Sequence, residues 1–183
     1  MPRLTKEFKE VISNLDKKEL EKLVLKAAST NKLFHDHVMV NYIDEELGEQ
    51  DLFEQAKIDL NALAYKRYKG YAPELKFANY LQACNKRITE FSKVCKNKTL
   101  ELELIMKLLH AAFHEADCSF GTCFTKFNHQ VTLLLKKAIN LVDKKIHEDL
   151  RMEYVPTING YLDKLHNTCD YLDYVSDLPD YLD

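Results

Sequence analysis

The run PELKFANYLQACNKRITEFSKVC, Pro73 to Cys95, places Phe77, Leu81, Cys84, Ile88, Phe91 and Cys95 at intervals of 4, 3, 4, 3 and 4. That rhythm keeps all six on one side of an α-helix, as a seam that packs along a neighbouring helix. A helix beginning at Pro73 is expected, because the N–H that proline lacks would have no partner in the first turn. The spacing returns near the other end of the chain, where Ile158, Leu162, Leu165, Cys169 and Leu172 lie 4, 3, 4 and 3 apart, with Pro156 expected to open that helix.

Reading outward from Pro73 fills in the remaining elements. Asn97 and Lys98 interrupt the first seam, and Leu102, Ile105, Leu109, Ala112, Phe113 and Ala116 follow on a helix that is apolar nearly all round. Such a helix is expected to be the most buried element. A loop from Asp117 to Cys123 turns at Gly121 into a long helix bearing Val131, Leu134, Leu135, Ala138, Leu141 and Val142. Towards the start of the chain, a helix from about Gln50 to Lys69 carries Leu52, Phe53, Ala56, Leu60, Leu63 and Ala64, and Gly70 is placed to end it in a left-handed conformation. Asp16 and Glu19 read as a capping box for a helix holding Leu20, Leu23, Val24, Ala27 and Ala28. A short helix from about Thr5 to Leu15 precedes it. Thr30 or Asn31 can cap another, carrying Leu33, Phe34, Val38 and Ile43 and ending in the acidic stretch before Gly48. The expected fold is all-α: an antiparallel helical bundle or a short helix-pair, solenoid-like array of about seven to eight helices. One domain, 1–183, is expected, with a candidate internal seam at 70–73 and an acidic tail at 177–183.

Composition narrows the function. Of 183 residues, 46% are hydrophobic and 30% charged, a globular balance rather than a disordered one. The four glycines, Gly48, Gly70, Gly121 and Gly160, stand too far apart for a glycine-rich phosphate loop. Five cysteines are an odd number and suggest no disulfide framework. The formal charge of −3 is unevenly spread, since Asp170, Asp173, Asp177, Asp180 and Asp183 have no base among them. The rest of the chain is therefore weakly basic, too weakly for a dedicated duplex-DNA binder. No apolar run approaches the ~18 residues of a membrane span, and Met1 to Glu10 alternates charges without an apolar signal core. A cytoplasmic protein without a membrane partner is expected.

Several clusters could carry chemistry. His110, His114, Asp117 and Cys118 fall at i, i+4, i+7 and i+8, and imidazole, carboxylate and thiolate all bind zinc, with Cys123 a further possible ligand. Against a metal, the pattern has neither paired C-x2-C spacing nor the second histidine of a zincin helix. Histidines flanking a buried helix are the simpler account. Cys84, Cys95 and Cys169 lie on apolar seams, where a thiol acts as a small hydrophobe. No catalytic residue and no cofactor site emerges. For nucleic acid, the basic clusters are Lys66, Arg67 and Lys69, then Lys93 and Lys96, then Lys136 and Lys137, with Tyr65, Tyr68 and Tyr71 interleaved in the first. Lysine with tyrosine can grip phosphate and stack a base, although solvated helix faces carry the same residues.

The stretches Leu15 to Leu20, Arg87 to Lys96, Phe120 to Lys126 and Asp173 to Pro179 resemble a family of all-helical bacterial proteins grouped as a domain of unknown function. The resemblance implies a helical fold and supplies no activity or ligand residue. The expected function is a non-enzymatic helical scaffold or interaction module with a protein partner. Nucleic-acid binding through the lysine clusters and zinc binding through the histidines are the alternatives. In the tail, the final helix is expected to run through Leu172 and stop near Leu178, before Pro179. Its tyrosines and leucines should pack while its aspartates neutralise nearby lysines.

Overall fold

The computed structural model describes residues 4–43 and 45–183, and of residues 45–47 the backbone alone. The helices are α1 (Lys6–Ser13), α2 (Lys17–Thr30), α3 (Lys32–Val38), α4 (Glu45–Ala64), α5 (Pro73–Phe91), α6 (Lys98–His110), α7 (Thr125–Lys144), α8 (Glu148–Cys169) and α9 (Asp173–Ser176). Two five-residue π-helical turns, Met39–Ile43 and Ala111–Glu115, follow α3 and α6. Among the described residues there is no strand, and the fold is all-α. The chain divides into two compact units, Met1–Gly48 and Glu49–Asp183. Residues 70–73, expected as a seam, lie inside the second.

In the first unit, side-chain caps set the helix starts. Thr5 Oγ1 accepts from Phe8 N at 3.2 Å, Asp16 Oδ1 from Glu19 N at 2.8 Å, and Asn31 Oδ1 from Phe34 N at 3.2 Å. Each satisfies an amide that the first turn leaves without a partner. Helix α2 packs on α3, and α3 on the π-turn that follows it. Among the described residues of this unit, Val40 alone is buried. Asp44, in the acidic stretch expected to end α3, lies outside the described residues.

The second unit is arranged around α7, which packs against α5, α6, α8 and α9. Its Phe127, Val131, Leu134, Leu135, Ala138 and Val142 are fully buried, and so is Asn128. The most enclosed element is thus α7 rather than the more apolar α6, because neighbours on several sides bury polar positions of α7 as well. The seam read from Pro73 holds: Leu81, Cys84 and Ile88 are fully buried, while Phe77 at the start of α5 is half-buried. Pro73 occupies the first turn as expected. Asn97 does more than interrupt, since its Oδ1 accepts from Thr99 N at 3.0 Å and starts α6.

Several boundaries differ from expectation, and α4 for one opens at Glu45 rather than near Gln50. Helix α4 stops at Ala64, six residues before Gly70. The chain there folds back on itself, with the Tyr68 hydroxyl donating to Leu63 O at 3.0 Å, and Gly70 at φ +145° serves the connection to α5. Helix α8 begins at Glu148 rather than Pro156. His147 Nδ1 accepts from Asp149 N at 3.4 Å, and the acids Glu148 and Asp149 suit the positive end of the helix dipole. Pro156 sits within α8, on a turn where Met152 is 76% exposed, so water can take the carbonyl that proline leaves unpaired. Finally, α8 ends at Cys169, before Leu172, and the short α9 follows.

The tail packs. Val175 and Leu178 are buried, and the Pro179 carbonyl lies 3.2 Å from His166 Nε2. Asn159 holds the last turn of chain by a reciprocal pair, its Nδ2 donating to Leu182 O at 3.0 Å and its Oδ1 accepting from Leu182 N at 2.7 Å. Among the described residues no ion pair within 4.0 Å involves Asp170, Asp173, Asp177, Asp180 or Asp183, although Asp177 shares a groove with Lys136, Lys137 and Lys144. Deleting Ser176 to Asp183 removes Leu178 and the Asn159 pair, and should lower the urea midpoint by the equivalent of about 2 to 4 kcal/mol. A shorter truncation of Asp183 alone should leave the midpoint where it is.

The loop between α6 and α7 depends on Gly121, whose φ is +72°, and a Cβ there would stand 2.5 Å from the Thr168 carbonyl oxygen of α8. Neither the conformation nor the space admits another residue. Gly121→Ala should cost about 2 kcal/mol or more in thermal or urea unfolding. By contrast, Gly160→Ala, in the middle of α8 with open space around it, should gain up to about 1 kcal/mol.

Candidate functional site

The π-turn after α6 decides where the sequence-predicted metal ligands go. Ala116 N donates to Ala111 O at 2.9 Å, five residues back, and Ala116 then turns extended at φ −75°, ψ 135°. Widening the turn changes the angular register, so His110 meets Glu115 at 3.7 Å between Nε2 and Oε1, while the rings of His110 and His114 lie 4.8 Å apart. Asp117 and Cys118 fall beyond the helix end. The spacing argument assumed a regular helix through Asp117, and the π-turn breaks that assumption. Among the described residues no group of three or more histidines, cysteines and carboxylates is gathered as a metal site, Cys123 included.

The turn is held from α8. The Lys164 ammonium donates to the Phe113 carbonyl at 3.2 Å and stands 5.6 Å and 5.3 Å from the ring centres of Phe113 and Phe120. The Phe113 ring in turn stacks on Tyr161 at 4.2 Å. Beside the turn lies an open groove of about 720 Å³ whose charges are segregated: Lys66, Arg67 and Lys76 come from the α4 to α5 connection and α5, and Glu115 and Asp117 from the π-turn and the loop after it. All five are exposed, so their charges are screened by water. Tyr68 and Tyr80 form its aromatic floor, 6.1 Å apart and edge to face.

Nucleophilic chemistry finds little support in this groove. Burial pushes the Cys118 thiol up to about 11, with Glu74 and Asp117 adding to the effect, so it is protonated at neutral pH. Burial likewise pushes Cys84 and Cys95 up to about 12, and raises the Tyr80 hydroxyl further above its usual range.

The basic residues proposed for nucleic acid do not converge. Lys66 and Arg67 line the groove at the start of α5, and the Lys69 carbonyl accepts from Asn79 Nδ2 at 2.8 Å. Lys93 and Lys96 follow the other end of α5, whose 19 residues put the two clusters about 28 Å apart. The Lys96 backbone N–H donates to Glu49 Oε1. Lys136 is exposed on α7, near Lys144 and Asp177. Lys137 points inward, its ammonium donating to Asn85 Oδ1 at 2.6 Å and Thr89 Oγ1 at 3.1 Å, and burial lowers its pKa. It ties α7 to α5.

A different surface stands out in the first unit. Leu20, Leu23 and Val24, on the helix that the capping box opens, are 41%, 47% and 41% exposed, and Leu25 is 69% exposed. Phe8 and Val11 of α1 are 52% and 61% exposed. Leu20, Val24 and Leu25 line a shallow depression of about 500 Å³ along α2, bracketed by Lys17 and Glu21. Three consecutive apolar residues, Leu23 to Leu25, are the signal that could have found it, since they span a wider arc than one buried stripe needs.

Comparison with protein-family models, curated proteins and solved structures finds no match. The helical fold implied by the resemblance is the one observed, and no matched relative assigns a role to any residue. No helix among the described residues is long and apolar enough to cross a membrane.

The thiols give a direct check of this burial pattern. In the native protein at pH 8, a thiol reagent should modify exposed Cys123 fast and Cys118 slowly, and reach Cys84, Cys95 and Cys169 only on unfolding. Cys84 and Cys95 also impose an alkaline limit. Their folded pKa, about 12, lies above the ordinary 9.0, so the unfolded chain loses protons first and stability falls as pH rises from about 9 towards 12. The urea midpoint should therefore drop between pH 8 and 10.5, and Cys84→Ala should make that drop shallower.

Proposed function

We propose that the protein is a non-enzymatic helical scaffold whose first unit docks a protein partner through the apolar face of α1 and α2. The observation that carries the reading is the exposure of Phe8 and Val11 on α1 and of Leu20, Leu23, Val24 and Leu25 on α2. The second unit, in contrast, sends most of its large apolar side chains into its own core. Singly exposed apolar residues are ordinary on a protein surface, whereas several on one helix face, such as Leu20, Leu23 and Val24, are the usual mark of an interaction face. Helix-on-helix docking fits this face, because its apolar positions recur at the spacing that a partner helix reads.

Site-specific photocrosslinking in the native cell tests the reading. A photoreactive residue at Leu25 should give a discrete protein adduct, and one at Asp149, an exposed position of the second unit, should not. Leu23→Glu should abolish the adduct while changing thermal stability by less than about 0.5 kcal/mol, as expected of a side chain outside a core. Equal labelling from both positions, or an adduct indifferent to Leu23→Glu, would remove the basis for the proposal.

A further inference from the structure

The groove beside the π-turn lies wholly within the second unit, and its volume of about 720 Å³ is that of a small-molecule site. Its two sides differ in charge. Pro73, Lys76, Phe77 and Tyr80, at i, i+3, i+4 and i+7, share the face of α5 that lines it, and the chain entering α5 adds Lys66 and Arg67. From the π-turn and the loop after it come Glu115 and Asp117. Although both signs line one groove, among the described residues none of the three cations makes an ion pair within 4.0 Å, so the two sides do not close on each other. Glu115 lies 3.7 Å from His110, and nearby Glu74 accepts from Ser119 N at 3.4 Å. The floor is aromatic and half-buried, with Phe77 5.3 Å and Tyr68 6.1 Å from Tyr80, ring centre to ring centre. The Tyr68 hydroxyl is given to Leu63 O, which leaves ring rather than hydroxyl to the groove.

We propose that this groove binds a purine nucleoside phosphate whose base carries an exocyclic amine. Each part of such a ligand has a counterpart among the lining residues. Lys66, Arg67 and Lys76 take the phosphate, the flat two-ring base lies against the aromatic floor, and its amine donates to Asp117 or Glu115. A bare anion uses the cationic side alone, and a neutral aromatic molecule uses the floor alone. A nucleic-acid strand needs basic residues along its path, whereas the next cluster, Lys93 and Lys96, follows the far end of α5. One nucleotide needs a single cluster. Because side chains rather than backbone amides hold the phosphate, the site requires no glycine-rich loop. It stands apart from the α1 and α2 face, and neither reading depends on the other.

Isothermal titration calorimetry on the full-length protein tests the proposal, with adenosine monophosphate as the probe in about 50 mM salt, where screening of exposed charges is modest. The nucleotide should bind with a Kd of about 100 µM. Adenosine, which lacks the phosphate, and ribose phosphate, which lacks the base, should each bind at least about tenfold more weakly. Inosine monophosphate sets a carbonyl against the carboxylates where adenine has its amine, and should bind about fivefold more weakly. Arg67→Glu and Lys76→Glu should each weaken the nucleotide about tenfold, while Lys93→Glu, at the far end of α5, should leave it unchanged. All three positions are exposed, so circular dichroism should show unchanged folding. Absence of saturable binding up to about 5 mM nucleotide overturns the proposal. So does ribose phosphate binding as tightly as the nucleotide, which marks a plain anion site, or nucleotide binding indifferent to both Arg67→Glu and Lys76→Glu.

Discussion

Enclosure of α7 is the constraint to which the second unit answers. A helix packed against four others must present side chains of suitable size in several directions, and Phe127, Val131, Leu134, Leu135, Ala138 and Val142 do so with no exposed surface. Each large side chain of this kind contributes about 2 kcal/mol by leaving water. The enclosure also has a cost. Asn128 is fully buried with neither its amide nitrogen nor its oxygen in a hydrogen bond, a loss of about 1 to 3 kcal/mol that the surrounding apolar contacts offset.

Long-range polar ties fix the helices around this centre. Lys137 joins α7 to α5, Arg87 of α5 meets Asp59 of α4 at 2.7 Å, and Lys107 of α6 donates to Asn61 of α4 at 3.0 Å. Apolar burial has little directionality and would tolerate sliding of one helix along another, whereas these contacts have fixed partners. They set register. The π-turn belongs to the same logic: Lys164 takes the Phe113 carbonyl, and the turn aims Phe113 at Tyr161 and Phe120.

The two units differ in how they use the same kind of sequence. Amphipathic helices in the second unit meet one another, and their apolar stripes vanish into a core. In the first, caps at Thr5, Asp16 and Asn31 secure the helices locally, while Val40 is the buried side chain among the described residues. Local capping can define helices without a large core, and apolar side chains of α1 and α2 stay exposed. That division is what the proposed docking face rests on.

The sequence by itself determined the fold class and much of the helix inventory, since 4, 3 spacing and capping residues act over a few positions of chain. Pro73, Asp16, Asn31 and Asn97 mark helix starts because each acts on backbone groups within three residues of itself. The start of α8 was not legible, because a proline that usually opens a helix is also tolerated inside one where water can reach the freed carbonyl. Nor was the π-turn, which has no local signature and ends the helix before Asp117 and Cys118, although the His110 and His114 rings stay 4.8 Å apart. Lys137 looked like surface charge until α5 supplied Asn85 and Thr89. The apolar stripe on α2 has the same spacing as a core stripe. Only the tertiary structure decides whether another helix covers it, because periodicity fixes which side chains share a face and says nothing of what lies opposite.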